Sequence, residues 1–589
     1  MKYVFITSDV GHNIGDGIIA TSIALLLKAV GQRVTLVKID PTIKDSQDAS
    51  QGENEDIFVL EDGAEVDPVL GEYERCLNIT LTRDHIITGG KLLESVILGG
   101  GTDTEVKIVN NMQGLITRES KLPVDRDSKL APQACVIEFD GDAADLDIQP
   151  FAMALAKLRA SVGNHNVTHF HISHIPIVDD EQQPQHAKQG IQAVQAAGLF
   201  PDMVLAYHET EFLKDVIRQI AIDCQLRRDQ VIAVHGNSTP YQMPTLLEEK
   251  GIMHYLASFV GVGSGPEYPS RIQLQGAQLW RSWTSAAGDA EQNIATDCEM
   301  PPTIISLIGN FTTYSHLSVT RSLEHAALSC QRRLQINYIT ASHLDPSAER
   351  LLPVQHVQAL ATLHSSHGIL VPGGFGSEGT EGMIEAIRWA RESRTPFLGI
   401  CLGMQLTVIE FARNVCKMPK ATSAEFVRSA DMFDGEKLIT YMPDFDRASP
   451  DDKMRLGVRK TYFQRDTEWS KARASYATGT VSEPDYLIAG GPSAFVIHER
   501  YRHRLAVNPK YFEVLETNGL RLVGKDDTGT RTGVVEIQDH PWFVGVQYHP
   551  EYTSKVMDPN RCILGFFKAS SEVVPLQLLT TSMEALSLE

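Results

Sequence analysis

Apolar and polar positions along this chain switch between two periods, and the switch points outline its elements. Residues 3–7 (Tyr-Val-Phe-Ile-Thr) are a short run of β-branched and aromatic side chains, which predicts a strand. Gly11, Gly15 and Gly17 punctuate the loop that follows. Residues 18–30 then carry good helix formers, among them Ala20, Ala24, Leu25, Leu26, Leu27 and Lys28, and Gly31 ends the run. Residues 33–39 predict the next strand. Strand, helix and strand with short links predict a parallel pair joined by a right-handed crossover. Further buried strands are predicted at 134–138 and 169–175. The period is lost across 276–302, which reads as a linker ending in Pro301-Pro302, and a fresh strand begins at Thr303. Beyond it, strands are predicted at 368–371, 396–400 and 542–547, and the tail 571–589 reads as peripheral. The fold class that follows is α/β, with one domain at 1–275, a linker at 276–302 and a second domain at 303–570.

Composition changes this picture little. The chain has 589 residues, 42% of them apolar and 22% charged, which suits large cores in a soluble protein. Lys and Arg number 53 against 74 Asp and Glu, a formal net charge of −21. No dense basic run is present, so a general nucleic-acid binder is excluded. No stretch of 18 apolar residues and no secretory leader pattern occur, which argues against a membrane partner and for a cytoplasmic protein. The eight cysteines are scattered without a CxxC pair, so neither a disulfide framework nor a structural zinc site is expected.

Three pieces of the second domain carry chemistry. Gly399-Ile400-Cys401-Leu402-Gly403 lies between a predicted strand and a predicted helix. Glycines two residues either side of a nucleophile permit a sharp strand-to-helix turn that exposes the thiol at a helix N-terminus, whose dipole favours an anion. Val371-Pro372-Gly373-Gly374-Phe375-Gly376 offers backbone N–H groups that suit a developing oxyanion. Gln547-Tyr548-His549-Pro550-Glu551 places a histidine at a strand end with a carboxylate two residues on, a base and its orienter. Alone, each has a plain structural explanation: a buried thiol, a turn, a surface loop. Together, in an α/β context, they point to nucleophilic catalysis.

These pieces resemble the class I (Cys-His-Glu) glutamine amidotransferases, and the chain as a whole resembles the CTP synthase family over nearly all of 1–570. The resemblance rests on 371–391 (VPGGFGSEGTEGMIEAIRWAR), 397–405 (FLGICLGMQ) and 545–554 (GVQYHPEYTS). At the front it rests on 37–41 (VKIDP), 58–63 (FVLEDG) and 71–75 (GEYER). It implies a P-loop-like synthetase domain followed by a flavodoxin-like amidotransferase domain. It also implies that Cys401 attacks the glutamine amide, that His549 is base and acid with Glu551 as orienter, and that Gly374 and the N–H of Leu402 form the oxyanion hole. Gln405, Glu425 and Arg504 match positions that hold the glutamine head group; a carboxylate suits its ammonium and a guanidinium its carboxylate.

For the first domain the resemblance implies that ATP phosphorylates UTP and that ammonia then displaces the phosphate, with Mg2+ as cofactor and GTP as activator. Glutamine hydrolysis itself needs no cofactor. Gly15, Gly17 and Lys38 match nucleotide-binding positions and Glu138 a metal position. Several positions depart from the pattern. Asp16 stands where the family has the loop lysine, Asp9 where it has glycine, and Val69 where it has a metal-binding aspartate. A valine supplies no oxygen to a hard cation. An aspartate facing a phosphate turns attraction into repulsion, roughly 4 kcal/mol for a pair about 4 Å apart at an effective dielectric near 20. An acidic residue at that place also stabilises a helix N-terminus. The family's KTKPTQ segment, which reads the pyrimidine nucleotide, is unrecognisable around 180–189. These departures lead to the expectation of a CTP-synthase-like enzyme that releases ammonia from glutamine and passes it to an acceptor site with eroded ATP and UTP motifs. Two other readings stand beside it: a functional CTP synthase, and a regulatory homologue that co-assembles with one. A homo-oligomer, or co-assembly with a CTP synthase, is expected.

Overall fold

In the computed structural model the strand Lys2–Ser8 has parallel neighbours on both sides, Ala134–Phe139 on one and Val167–His174 on the other. The structure describes residues 1–9, 14–41, 57–98, 104–124, 130–141, 148–178, 181–208, 214–236, 239–262, 271–294, 301–311, 316–427, 435–442, 454–477 and 495–573. By its internal contacts the chain divides into two units, Met1–Gln51 with Val69–Ala295, and Gly52–Pro68 with Thr296–Glu589.

The first unit is built on a seven-stranded parallel sheet. Its order is Val231–His235, Met203–His208, Val167–His174, Lys2–Ser8, Ala134–Phe139, Val34–Asp40 and Ile86–Thr88. The central strands are buried on both faces, as strands covered by helices on both sides must be, and Val167–His174 carries the buried polar residues His169, His171 and Ser173. One expectation is corrected here: Lys2–Ser8 and Val34–Asp40 run parallel but are not paired. Ala134–Phe139 lies between them and bonds to both, because a crossover helix fixes direction and hand without fixing adjacency. The helix Ile14–Ala29 follows the first strand directly.

The expected linker is also corrected. Most of it is a 24-residue helix, Arg271–Ile294. This helix buries Trp283, Ala287 and Ala290, and a Cβ on its Gly276 would overlap the carbonyl oxygen of Ala29. Its inward positions are Gly276, Trp283, Ala287 and Ala290, three small residues around one large ring. Trp283 also donates its Nε1–H to the Tyr241 carbonyl at 3.0 Å.

The second unit holds a nine-stranded sheet in the order Leu334–Thr340, Thr303–Gly309, Gly368–Val371, Phe397–Ile400, Phe543–Val546, Thr532–Ile537, Leu520–Lys525, Arg455–Phe463 and Val496–His503. The first five run parallel and the rest are antiparallel. Strands 368–371, 397–400 and 543–546 are direct neighbours, so the segments after their carboxyl ends meet at one edge. That is where open α/β sheets hold their ligands. The unit also takes in a two-stranded hairpin from near the front of the sequence, Phe58–Val59 paired with Glu65–Val66. No helix among the described residues is long and apolar enough to cross a membrane.

If helix Arg271–Ile294 is integral to the first unit, Trp283→Ala should cost about 3–5 kcal/mol, the usual price of emptying a buried tryptophan site. Chemical denaturation followed by circular dichroism checks this; an unchanged midpoint would return the segment to the status of a linker.

Candidate active site

Strand Phe397–Ile400 ends against Cys401, and helix Leu402–Asn414 starts at the next residue. The turn between them is tight: Cys401 has φ 52° and ψ −99°, a conformation non-glycine residues rarely adopt. Two glycines make it possible. A Cβ on Gly403 would overlap the Val371 carbonyl oxygen, and one on Gly399 would lie 2.7 Å from the Gly403 carbonyl carbon. The Cys401 N–H donates to Val546 at 2.7 Å, which ties the turn to the next strand.

That next strand leads into Gln547, Tyr548 and His549. Nδ1 of His549 bonds to Oε1 of Glu551 at 2.7 Å, and both residues are buried. The Cys401 sulfur is the ring's other side-chain partner. The ring lies on the cysteine's side of the site: a Cβ on Gly373 would be 2.7 Å from Cε1 of His549 and 3.4 Å from Cβ of Cys401. Burial alone would lower the imidazole's pKa. The Glu551 carboxylate and the Cys401 sulfur outweigh burial and push it up to about 10. The three residues named from the sequence are therefore brought together in an arrangement that favours an imidazolium beside sulfur.

The loop after strand Gly368–Val371 faces the turn. A Cβ on Gly374 would sit 3.3 Å from Leu402, so the two residues expected to offer N–H groups to an oxyanion belong to touching segments. Leu402 lies in the first turn of its helix, where N–H groups have no partner within the helix. Arg504 Nη2 donates to Glu425 Oε1 at 2.8 Å, and the Arg504 guanidinium lies 4.9 Å from the centre of the Phe375 ring. A cation and an anion thus stand side by side at the edge of the site, the complement of a free amino acid's two charges. Gln405 is placed behind the nucleophile, with Nε2 donating to the Leu505 carbonyl at 3.3 Å and to Gln547 Oε1 at 3.2 Å.

Three contacts went unread in the sequence. Gln547 Nε2 donates to Cys401 Sγ at 3.5 Å, and Arg502 offers its carbonyl oxygen to the same sulfur at 3.6 Å. Tyr552 stacks on the His549 ring, with centroids 4.8 Å apart and planes 11° from parallel. Gln547 and Tyr552 flank His549 closely in sequence, but only the coordinates reveal their partners.

In the first unit, Gly15 and Asp16 lie in the first turn of helix Ile14–Ala29, and the side chain of Val69 occupies the space where a Cβ on Gly17 would go. Gly11 in the glycine loop lies outside the described residues. Lys38 sits on strand Val34–Asp40, 3.0 Å from Asp140 and 3.8 Å from Glu138. Tyr73 donates to Glu138 at 2.7 Å. Burial raises the Glu138 pKa against the opposing pull of Lys38.

The bare repulsive charge expected at Asp16 is corrected. Ser8 Oγ donates to Asp16 Oδ2 at 2.7 Å, and His174 Nε2 lies 2.8 Å from Oδ1. Burial would lower His174, but the Asp16 and Asp9 carboxylates outweigh it and hold its pKa above the ordinary histidine value. Asp9 in turn accepts from Ser173 Oγ at 2.5 Å and from the His174 N–H at 3.0 Å. The aspartate that replaces a cation thus arrives with a cation of its own. Among the described residues, Asp9, Asp16 and the engaged Lys38 do not by themselves cradle a magnesium-bound triphosphate. No described group of three or more His, Cys, Asp or Glu residues is arranged to hold a metal ion.

Fold and site together define an α/β protein with a class I glutamine amidotransferase centre. The family model for that class matches residues 313–445 and 474–569, and the model described as CTP synthase N-terminus matches 2–262. The chain is similar to CTP synthase of Neurospora crassa, with 40% identity over 97% of this chain and 95% of the relative. It is similar to CTP synthase 2 of Saccharomyces cerevisiae, with 39% identity over 97% of each. The Schizosaccharomyces pombe CTP synthase is 38% identical over 97% of this chain and 92% of the relative. Among solved structures it is similar to the Trypanosoma brucei CTPS glutaminase domain with bound acivicin, with 30% identity, a TM-score of 0.39, and coverage of 46% of this chain and 95% of that one. The chain belongs to the CTP synthase family. The expectation of an eroded acceptor site gains no support from these matches, which run through the first unit as fully as the second.

The raised pKa of His549 has a pH consequence. The imidazolium is present through neutrality and is lost as pH rises through about 10. In Glu551→Gln the nearest raising charge is gone, so the loss should occur at lower pH. The alkaline limb of Cys401-dependent glutamine hydrolysis should shift downward, and its rate should fall on the order of 100-fold. A pH–rate profile of the two proteins checks both; an unmoved limb would remove His549 from the rate-controlling role.

Proposed function

We propose that this chain is a functional CTP synthase that aminates UTP with ammonia taken from glutamine, using ATP and Mg2+ and responding to GTP as its family does. The observation that carries this reading is identity of 38–40% to named CTP synthases across nearly the whole length, both units included.

The glutamine half is written on this chain's own residues. Cys401 Sγ attacks the side-chain amide carbon, and the carbonyl oxygen takes up negative charge toward the N–H groups of Gly374 and Leu402. His549 gives its proton to the departing nitrogen, leaving a thioester and ammonia. It then takes a proton from water, which attacks the thioester and releases glutamate. Glu551 holds the ring at Nδ1, so Nε2 is the nitrogen that handles protons. Gln547, donating to Sγ, steadies the sulfur as it gains charge. Glu425 and Arg504 exchange their mutual pairing for the substrate's ammonium and carboxylate, which selects a free amino acid over a peptide-bound side chain.

A second reading is favoured by one observation, the clamped Asp16 at the first strand–helix junction. In it the same glutamine chemistry serves a different ammonia acceptor, or the chain regulates a CTP synthase with which it assembles. One reaction separates the readings: purified protein with glutamine, UTP, ATP, Mg2+ and GTP, with glutamate and CTP measured against a Cys401→Ala control. Glutamate with CTP is the expected result. Cys401-dependent glutamate without CTP overturns the main reading in favour of another acceptor, and neither product favours the regulatory homologue.

A further inference from the structure

The hairpin Phe58–Val59/Glu65–Val66 lies far from the glutaminase motifs in sequence, yet it belongs to the second unit by its contacts. Its turn docks on strand Arg455–Phe463. The Val458 N–H donates to the Glu61 carbonyl at 3.0 Å, and Gly457, with φ 76°, lies so close that a Cβ would be 2.7 Å from Gly63 N. The hairpin's two strands then reach the backbone that carries the triad.

Arg500 is the junction on one side. Its buried Nη1 donates to the Val59 carbonyl at 3.0 Å and to the Tyr552 carbonyl at 3.3 Å, while its own carbonyl accepts the His549 N–H at 2.8 Å. Phe58 is fully buried, 5.4 Å from the Arg500 guanidinium, and sets its edge against the Tyr552 ring at 5.4 Å and 72°. Tyr552 lies flat on His549. On the other side Arg502 Nε donates to Glu65 Oε1 at 2.6 Å, and the Arg502 carbonyl is the one that meets Cys401 Sγ.

The mechanical need is clear. Glu551 at Nδ1 and the Cys401 sulfur both act on the rim of the buried His549 ring, so a tilt of the ring would misalign it with both. A face-stacked tyrosine opposes that tilt only if it is itself braced, and the brace is Phe58. We propose that the hairpin is a positioning device for the glutaminase centre: Phe58 holds Tyr552 against the His549 ring, and the Glu65–Arg502 pair fixes the carbonyl that meets the Cys401 sulfur. Neither Phe58 nor Glu65 touches the reacting atoms; they act through Tyr552 and Arg502. The inference rests on the reading of Cys401 and His549 as the glutamine-hydrolysing pair.

The test is made on the full chain with two variants, Phe58→Leu and Glu65→Gln. Each should lower kcat for glutamine hydrolysis about 10- to 100-fold, the range set by misplacing a catalytic group by up to about an ångström. The KM for glutamine should stay within about twofold, because Glu425 and Arg504 are untouched. In Phe58→Leu the alkaline limb of the pH–rate profile should also move down, since a tilted ring loses its alignment with Glu551 and Cys401. Parental kcat and an unmoved limb in both variants overturn the proposal, and so does a raised KM at parental kcat, which would make the hairpin a binding element. Glu65→Gln is isosteric and lies at a side chain that is 22% exposed, so it decides alone if Phe58→Leu fails to fold. A Cys401→Ala control run beside them separates the two levels. Persistent glutamate release in that control defeats the assignment of the centre itself, whereas Cys401-dependent release that ignores both hairpin variants defeats only the hairpin's role.

Discussion

The close approach of Gly403 to the Val371 carbonyl is the constraint from which the second unit's chemistry is built. Without room for that contact, strand Phe397–Ile400 and helix Leu402–Asn414 cannot meet at so sharp an angle, and Cys401 cannot be held at φ 52°. Backbone strain of this kind persists only where surrounding structure over-determines it. Here a neighbouring strand on each side, the Cys401 N–H bond to Val546 and a fully buried helix face supply the restraint. The same approach holds the glycine loop 372–376 beside the thiol, so Cys401 and the N–H groups of Gly374 and Leu402 are set by one packing contact.

The imidazole is governed by a different balance. A buried histidine prefers to be neutral, as His169, His171 and His503 show, each held near a pKa of about 3 by burial. His549 is just as buried and goes the other way, because a carboxylate and a sulfur lie against it. Burial strengthens those charge interactions as it removes water. The contrast among four buried histidines in one chain shows that partners, not depth, decide the protonation of the site.

The first unit tells the opposite story about charge. An aspartate where a phosphate loop has lysine reads, in one dimension, as an anion facing an anion. In three dimensions Asp16 is matched by His174 and Ser8, and Asp9 by Ser173 and the His174 N–H. His174 sits at the end of the strand next to Lys2–Ser8, so the sheet order brings the compensating cation across from a point 158 residues away. Near-full-length identity to CTP synthases places the whole unit in the same family despite these exchanges.

Sequence alone was sufficient for what is written locally. Short apolar runs located eight of the sixteen described strands in the two large sheets, one of them (368–371) to the residue, and Gly-x-Cys-x-Gly, the glycine cluster and His-x-Glu marked three segments that the fold brings together. Local motifs of this kind are legible because backbone geometry demands glycine at fixed offsets and a strand end exposes a defined side chain. What tertiary structure alone decided depends on pairing between distant segments. It inserted Ala134–Phe139 between two strands that a crossover would have made neighbours, and it turned a supposed linker into a helix packed through Gly276, Trp283, Ala287 and Ala290. It gave Asp16 a histidine and assigned the hairpin 58–66 to the unit that holds Cys401. Such facts are invisible in one dimension because hydrogen bonds and buried charges take their partners from whatever the fold brings near, and no periodicity encodes the distance.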